Sequence, residues 1–310
     1  MAQSRRLTEL TGAINKRARL PEPPHVIALS GGADSAALAD LVIGSFDESP
    51  RCVHVHHGLA DSDLLAAAAQ SVAEVLSLQF EVVGVEVPDG PSPEANAREV
   101  RYAALEGSLG EDENMLLGHT RNDQAETVLL NLVRGSGIRG LAGMPYQRGP
   151  RFFRPLLDVT RDETREYAML KGLPFVDDPT NSDRSIRRNR IRLDVIPRLE
   201  ELNPNLVESL ARTAEHVRED SEYLDRLATI PTTARERSAN VPTGLLAVLD
   251  RPIRSRAIAE LIASVRGREG LTSAELARIE EVLDERSGRA ELEGGVAVEK
   301  DGPFLVVTST

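Results

Sequence analysis

Short apolar runs alternate with amphipathic runs through the first half of the chain. His25 to Leu29, Cys52 to His56, Phe80 to Val87 and Met115 to Gly118 are mainly apolar and rich in β-branched residues, the pattern of short buried strands. Between and after them, Ser35 to Gly44, Asp61 to Leu78, Glu94 to Leu109 and Asn122 to Arg134 space their apolar residues as helices do. This βαβα rhythm predicts an α/β fold built on a doubly wound parallel sheet. In such sheets ligands gather beyond the carboxyl ends of the strands. One more unit follows, with Arg151 to Leu157 extended and Arg161 to Lys171 helical. FVDDPTNSD then reads as a turn, and the arginine-rich stretch after it enters a helix expected to stop at Pro197.

From about Asn205 the pattern changes. Asn205 to Ala228 reads as one long amphipathic helix, IPTTARERSANVPT as a linker or mobile loop, and Pro252 to Arg286 as helical again. Arg289 to Thr308 reads as a small meander whose turns fall at Gly294-Gly295 and Asp301-Gly302. The expectation is therefore two domains, residues 1–210 carrying the parallel sheet and residues 211–310 forming a smaller α+β domain.

Composition narrows the chemistry. Cys52 is the single cysteine among 310 residues, which excludes a disulfide framework, a four-thiolate zinc site and paired-thiol redox chemistry. The first residues lack the apolar core of a secretion signal and no later run reaches membrane-span length, so a soluble cytoplasmic protein without membrane contact is expected. The net charge of −12 argues against general nucleic-acid affinity. Lysine occurs only at positions 16, 171 and 300, however, and arginine clusters in SDRSIRRNRIR. A local polyanion site and a solvated helix face laced with ion pairs both fit that segment.

The loop Ser30-Gly31-Gly32-Ala33-Asp34-Ser35 follows the first strand and opens a helix. Adjacent glycines let backbone N–H groups approach an anion, and the helix start adds the positive end of its dipole. The loop itself matches neither GxxxxGK[ST] nor GxGxxG, and an ordinary tight turn capped by Asp34 fits the loop alone. Ser30 and Ser35 can donate to phosphate oxygens, and Asp34 can hold Mg²⁺.

Further blocks accompany the loop: HVHHGL from His54, EANAR with Arg101-Tyr102, GHTRNDQAET from Gly118, RGSG from Arg134, RPLL from Arg154, DPTN from Asp178, and RNRIR from Arg188. Together and in this order they resemble the tRNA(Ile)-lysidine synthetase family within the N-type ATP pyrophosphatases, over roughly residues 25–200. The resemblance implies a PP-loop, Rossmann-like fold. It also implies a two-step carbon–nitrogen ligation in the cytoplasm, with ATP as co-substrate, Mg²⁺, L-lysine and a tRNA(Ile) bearing a CAU anticodon as partners, and a homodimer among the assemblies it allows. ATP adenylates the wobble cytidine at its 2-carbonyl oxygen and the lysine ε-amine then displaces AMP. The chain's length resembles that of family members with one C-terminal domain, and this domain is the expected tRNA-binding part.

Carried onto this chain, the resemblance implies that Ser30, Gly31, Gly32, Ala33, Asp34, Ser35, His57, Arg98, Arg101 and His119 bind ATP. Asp34 takes the metal, Asp123 and Glu126 take lysine, and Arg139, Arg187, Arg188, Asn189 and Arg190 contact tRNA. Asp34, His119, Asp123, Glu126 and Arg190 are the expected catalytic set. Chemically, Asp123 and Glu126 stand three apart at a helix start and can face one pocket, although acids there also simply complement the helix dipole. His119 can steady a phosphate or carry a proton, or be a buried structural histidine. His54 and His56 share a strand face without an acidic or cysteine partner, so zinc is not expected. The rival readings are a tRNA thiolase, which needs more cysteines, an amide-forming synthetase, which leaves the arginine block without a role, and an ATP-sensing module without turnover.

Overall fold

The computed structural model describes residues 1–309 except 47–48, 59–60, 89, 91–92, 236, 268–269 and 286–287. Leu59 of the HHGL stretch and Arg286, the expected end of the last helical pattern, lie outside the described residues. The chain forms two compact units, Met1–Arg218 and Glu219–Thr310.

The first unit runs α1 (Ala2–Asn15), β1 (His25–Ala28), α2 (Ala33–Ser45), β2 (Arg51–His56), α3 (Ser62–Val75), β3 (Phe80–Gly84), α4 (Pro93–Gly107), β4 (Asn114–Leu117), α5 (Arg121–Val133) and α6 (Ile138–Leu141). It continues with β5 (Gln147–Arg148), β6 (Phe152–Phe153), α7 (Arg161–Lys171), α8 (Arg187–Arg190), α9 (Ile196–Glu200) and the start of α10 (Leu206–Ala228). The sheet order is β3-β2-β1-β4-β6-β5, parallel except for the β5–β6 pair. The expected doubly wound sheet is present, with an antiparallel edge that the hydrophobic pattern did not signal.

Both faces of the central strands β1, β2 and β4 are covered, which is why these strands are mainly apolar. Ile27, Leu29, Cys52 and Leu116 pack on one side with α1, α2, α3 and α7. Val26, Ala28, Val53, Val55, Met115 and Leu117 pack on the other with Leu105 of α4. α2 is buried around most of its circumference, from Ser35 to Val42, between the sheet and α7.

Two expectations about this unit need correcting. Arg151 to Leu157 is extended only at Phe152–Phe153 and then turns. The helix does not stop at Pro197: α9 starts at Ile196 and includes it, because a proline in a helix's first turn gives up an N–H that has no partner there. A π-helical turn, Ile191–Val195, precedes it.

The second unit holds the end of α10, β7 (Thr233–Arg235), β8 (Ser238–Pro242), α11 (Thr243–Ala247), α12 (Arg251–Arg266), α13 (Ser273–Asp284), β9 (Arg289–Leu292), β10 (Val296–Asp301) and β11 (Phe304–Ser309). Its antiparallel sheet has the order β7-β8-β11-β10-β9, so the expected meander is present. The expected linker is instead strand: β8 pairs with β11 and buries Ala239 and Val241 at alternate positions. The helical pattern after Pro252 is two helices. Gly267 at φ +71° ends α12, and a Thr272–Glu275 capping box starts α13.

Candidate active site

β1 ends at Ala28, and the following loop turns through Gly31 at φ +85° before α2 begins. A side chain on Gly31 would be strained by that φ and would also place its Cβ 2.5 Å from the Leu65 carbonyl oxygen. The loop is closed from within. Ser30 N–H donates to Ser35 Oγ (3.1 Å), Ser35 Oγ donates to the Gly32 carbonyl (3.0 Å), and Val176 N–H donates to the Gly31 carbonyl (3.0 Å). At the end of β4, Gly118 comes so close that a Cβ there would stand 3.0 Å from Ser35 N. Glycine thus lets β4 and the start of α2 form one floor.

Above this floor lies a cavity of about 570 Å³, lined by Ser30, Gly32, Ala33, Asp34 and Ser35 from the loop and by His54, His57, Arg101, His119 and Asp123 from three other segments. Arg161, Arg165, Asp177, Asp178, Asn181, Arg188 and Arg192 complete its polar wall, and Leu29, Val53, Val55, Leu65 and Leu105 its apolar one. It sits beyond the carboxyl ends of β1, β2 and β4. Of the two expected arginines Arg101 lines it and Arg98 does not.

Two imidazoles face this space with a buried Nδ1 that has no hydrogen-bond partner, His57 and His119. Burial pushes both below the ordinary histidine range; Arg101 adds to this at His57, whereas Asp123 partly offsets it at His119. Both rings are therefore neutral near pH 7, and each keeps an enclosed nitrogen without a hydrogen-bond partner. His54, by contrast, is anchored, its Nδ1 lying 2.8 Å from the Leu29 carbonyl oxygen.

Asp34 stands at the first turn of α2, where the Thr164 hydroxyl donates to it and Arg161 lies 3.8 Å away. Burial, then the charge of Asp123, raises its carboxyl to about 6. Such an acid gains from any cation brought beside it. Among the described residues no group of three or more His, Cys, Asp or Glu gathers as a metal cage. One half-buried carboxylate fits Mg²⁺ delivered on nucleotide phosphates, because that ion keeps most of its other ligands as water and phosphate oxygens.

Asp123 and Glu126 do share one side of α5, and both are buried. Asp123 Oδ2 accepts from Thr120 N–H and Oγ1, both at 2.8 Å, and Oδ1 accepts from Arg188 (2.9 Å) and Arg161 (3.0 Å). Glu126 is fully enclosed by Arg161 (3.2 Å), Arg188 (2.7 Å) and Arg192 (2.7 and 3.1 Å). Burial alone would raise the Asp123 carboxyl, but Arg188 and Arg161 hold it far below the usual range. Both expected lysine ligands are thus already met by guanidinium groups, and Glu126 does not line the cavity.

The arginine block divides accordingly. Arg188 and Arg192 turn inward to these carboxylates, and Asn189 is buried with its amide donating to the Thr180 and Asp183 carbonyls (2.7 and 2.9 Å). Arg187 and Arg190 are exposed, as is Arg139 on α6. Sequence reasoning missed Arg161 and Thr164. The signal available was the T-R-D-E capping box, which starts α7 at Arg161 with Thr160 and Glu163 as its reciprocal partners.

A family profile described as a PP-loop domain matches residues 3–199. The chain is 43% identical to a tRNA(Ile)-lysidine synthase of Pseudomonas syringae over 65% of this chain and 47% of that one, and it spans about half the length of the Pseudomonas relatives it matches. It is 42% identical to the tRNA(Ile)-lysidine synthase of Mycolicibacterium paratuberculosis over 88% of this chain and 83% of that one. The U34-tRNA thiolase NcsA of Methanococcus maripaludis has a similar fold, with a TM-score of 0.55 at 20% identity, covering 69% of this chain and 80% of that one.

Proposed function

The chain belongs to the tRNA(Ile)-lysidine synthase family of PP-loop proteins, and from that premise we propose that it joins L-lysine to the wobble cytidine of a CAU-anticodon tRNA(Ile) at the expense of ATP. The observation that carries the reading is the cavity itself, where the glycine loop, Asp34 and two neutral, unsatisfied imidazoles converge. The Ser30 to Ser35 loop and Arg101 would hold the triphosphate, and Asp34 would hold Mg²⁺, which would supply positive charge to the phosphates. The cytosine 2-carbonyl oxygen attacks the α-phosphorus and pyrophosphate leaves; the lysine ε-amine then attacks C2 and AMP leaves. His119 lines the cavity as a neutral imidazole and can steady a phosphate oxygen there.

Lysine recognition by Asp123 and Glu126 requires an arginine to loosen its hold. Arg161 and Arg188 reach both carboxylates, so the entering ammonium replaces one guanidinium rather than filling an empty site. The second unit is the proposed tRNA-binding part, with Arg139, Arg187 and Arg190 as contacts in the first, and the cytoplasm is the proposed compartment. Among the described residues no helix is long and apolar enough to cross a membrane.

Sulfur transfer fits this chain poorly. Its single thiol, Cys52, is enclosed in β2, and burial pushes it up to about 12. A direct test measures pyrophosphate release from ATP and Mg²⁺ with lysine omitted. Release that requires the RNA's wobble cytidine supports the reading; release indifferent to RNA overturns it.

A further inference from the structure

Beside the cavity, several guanidinium groups gather around one phenol. Arg154, almost fully buried, donates from Nη2 to the Tyr102 hydroxyl at 3.0 Å and from Nη1 to the Pro145 carbonyl at 2.6 Å. Arg148, on the β5–β6 hairpin, lies over the Tyr102 ring with Cζ 3.9 Å from its centroid, and Arg98, one turn back on α4, stands 5.2 Å from it. Phe152 braces the ring at 5.3 Å.

This cluster differs from the one at Glu126. There every arginine meets a carboxylate; here, among the described residues, neither Arg98, Arg148 nor Arg154 has an acidic partner within ion-pair distance. Loss of hydration and then the neighbouring Arg154, Arg148 and Arg188 push the Arg98 group below the ordinary arginine range, with Tyr102 partly offsetting them. Like charges held together without a counter-charge are stabilised by an anion from outside.

We propose that Arg98 and Arg148, held by Tyr102, form a docking site for a backbone phosphodiester of the RNA substrate, next to the nucleotide cavity but separate from it. The inference rests on the RNA reading above. Cation–π contact holds each guanidinium against the ring, which leaves the N–H edges for phosphate oxygens. The ring carries arginines, so it is not a platform for a base, and the contact positions the strand without reading its sequence. Arg101, which lines the cavity, follows Arg98 by one turn on α4, so the cluster leads from the surface toward the reacting site.

The test is equilibrium binding of the full chain to a CAU-anticodon tRNA(Ile) transcript over a salt series, with ATP affinity measured in parallel. Arg148→Ala is expected to weaken RNA binding about fivefold and to flatten the plot of log K against log salt by about 0.7, the loss of one single-strand phosphate contact. ATP affinity and the thermal midpoint are expected to stay at wild-type values, and Arg148→Lys, which keeps the charge, to recover most of the slope. Unchanged RNA affinity and slope in Arg148→Ala, with wild type binding normally, overturns the proposal, as does a matching loss of ATP affinity. Wild type that fails to bind RNA overturns the ligase reading and this site with it.

Discussion

At the scale of single residues, the decisive feature is the matching of Asp123 and Glu126 to Arg161, Arg188 and Arg192. Removing one side of a buried ion-pair cluster leaves unpaired charge, which costs about 3–5 kcal/mol. Glu126→Ala is therefore expected to lower stability by that order in a urea titration as well as to weaken lysine use. If stability holds and only the KM for lysine rises, the carboxylate serves lysine alone. Asp34 has the opposite balance: burial and the charge of Asp123 raise its folded-state carboxyl from the ordinary 3.8 to about 6, so folding disfavours its ionised form. The penalty is absent below the unfolded value and grows as pH rises through about 6. Asp34→Asn is thus expected to raise the thermal midpoint of the ligand-free protein at pH 8 more than at pH 5, while abolishing pyrophosphate release. Equal shifts at both pH values would contradict the assigned environment. Arg161 shows why such a cluster escapes a sequence reading. Its partners Asp123 and Glu126 lie 38 and 35 residues away, a proximity that only the sheet creates.

At the scale of elements, legibility followed periodicity. β1, β2 and β4 are buried on both faces and so read as mainly apolar runs. β5 is two polar residues paired at a sheet edge and had no period to read, β6 is the two-residue part of the stretch read as extended, and β8, although it buries Ala239 and Val241 alternately, is too short and polar to stand out from a loop. The glycine loop was legible in type, and the structure adds its reason: Gly31 needs a positive φ and sits against the Leu65 carbonyl, and Gly118 lets β4 reach Ser35. Gly31→Ala is expected to cost about 1–3 kcal/mol from backbone strain alone, read as a lower denaturation midpoint. Gly118→Ala requires its neighbours to give by a few tenths of an ångström and is expected to weaken ATP binding more than folding. ATP affinity unchanged in Gly118→Ala would mean that the floor of the cavity does not set the nucleotide's position.

At the scale of the molecule, charge is apportioned rather than averaged. A chain with net charge −12 repels polyanions over most of its surface, and neutralises most arginines of its cleft internally, so we place RNA and nucleotide at the cations that lack an acidic partner among the described residues. The exposed Arg187 and Arg190 belong to the same scheme, and Arg190→Ala is expected to impair RNA-dependent turnover more than ATP binding. The measurement that bears most directly on the whole account is incorporation of labelled lysine into a CAU-anticodon tRNA(Ile), with ATP and Mg²⁺. Label that stays with the RNA only when ATP and the wobble cytidine are both present is the expected result. No label on intact RNA, from a protein that binds both ATP and that RNA, would contradict it.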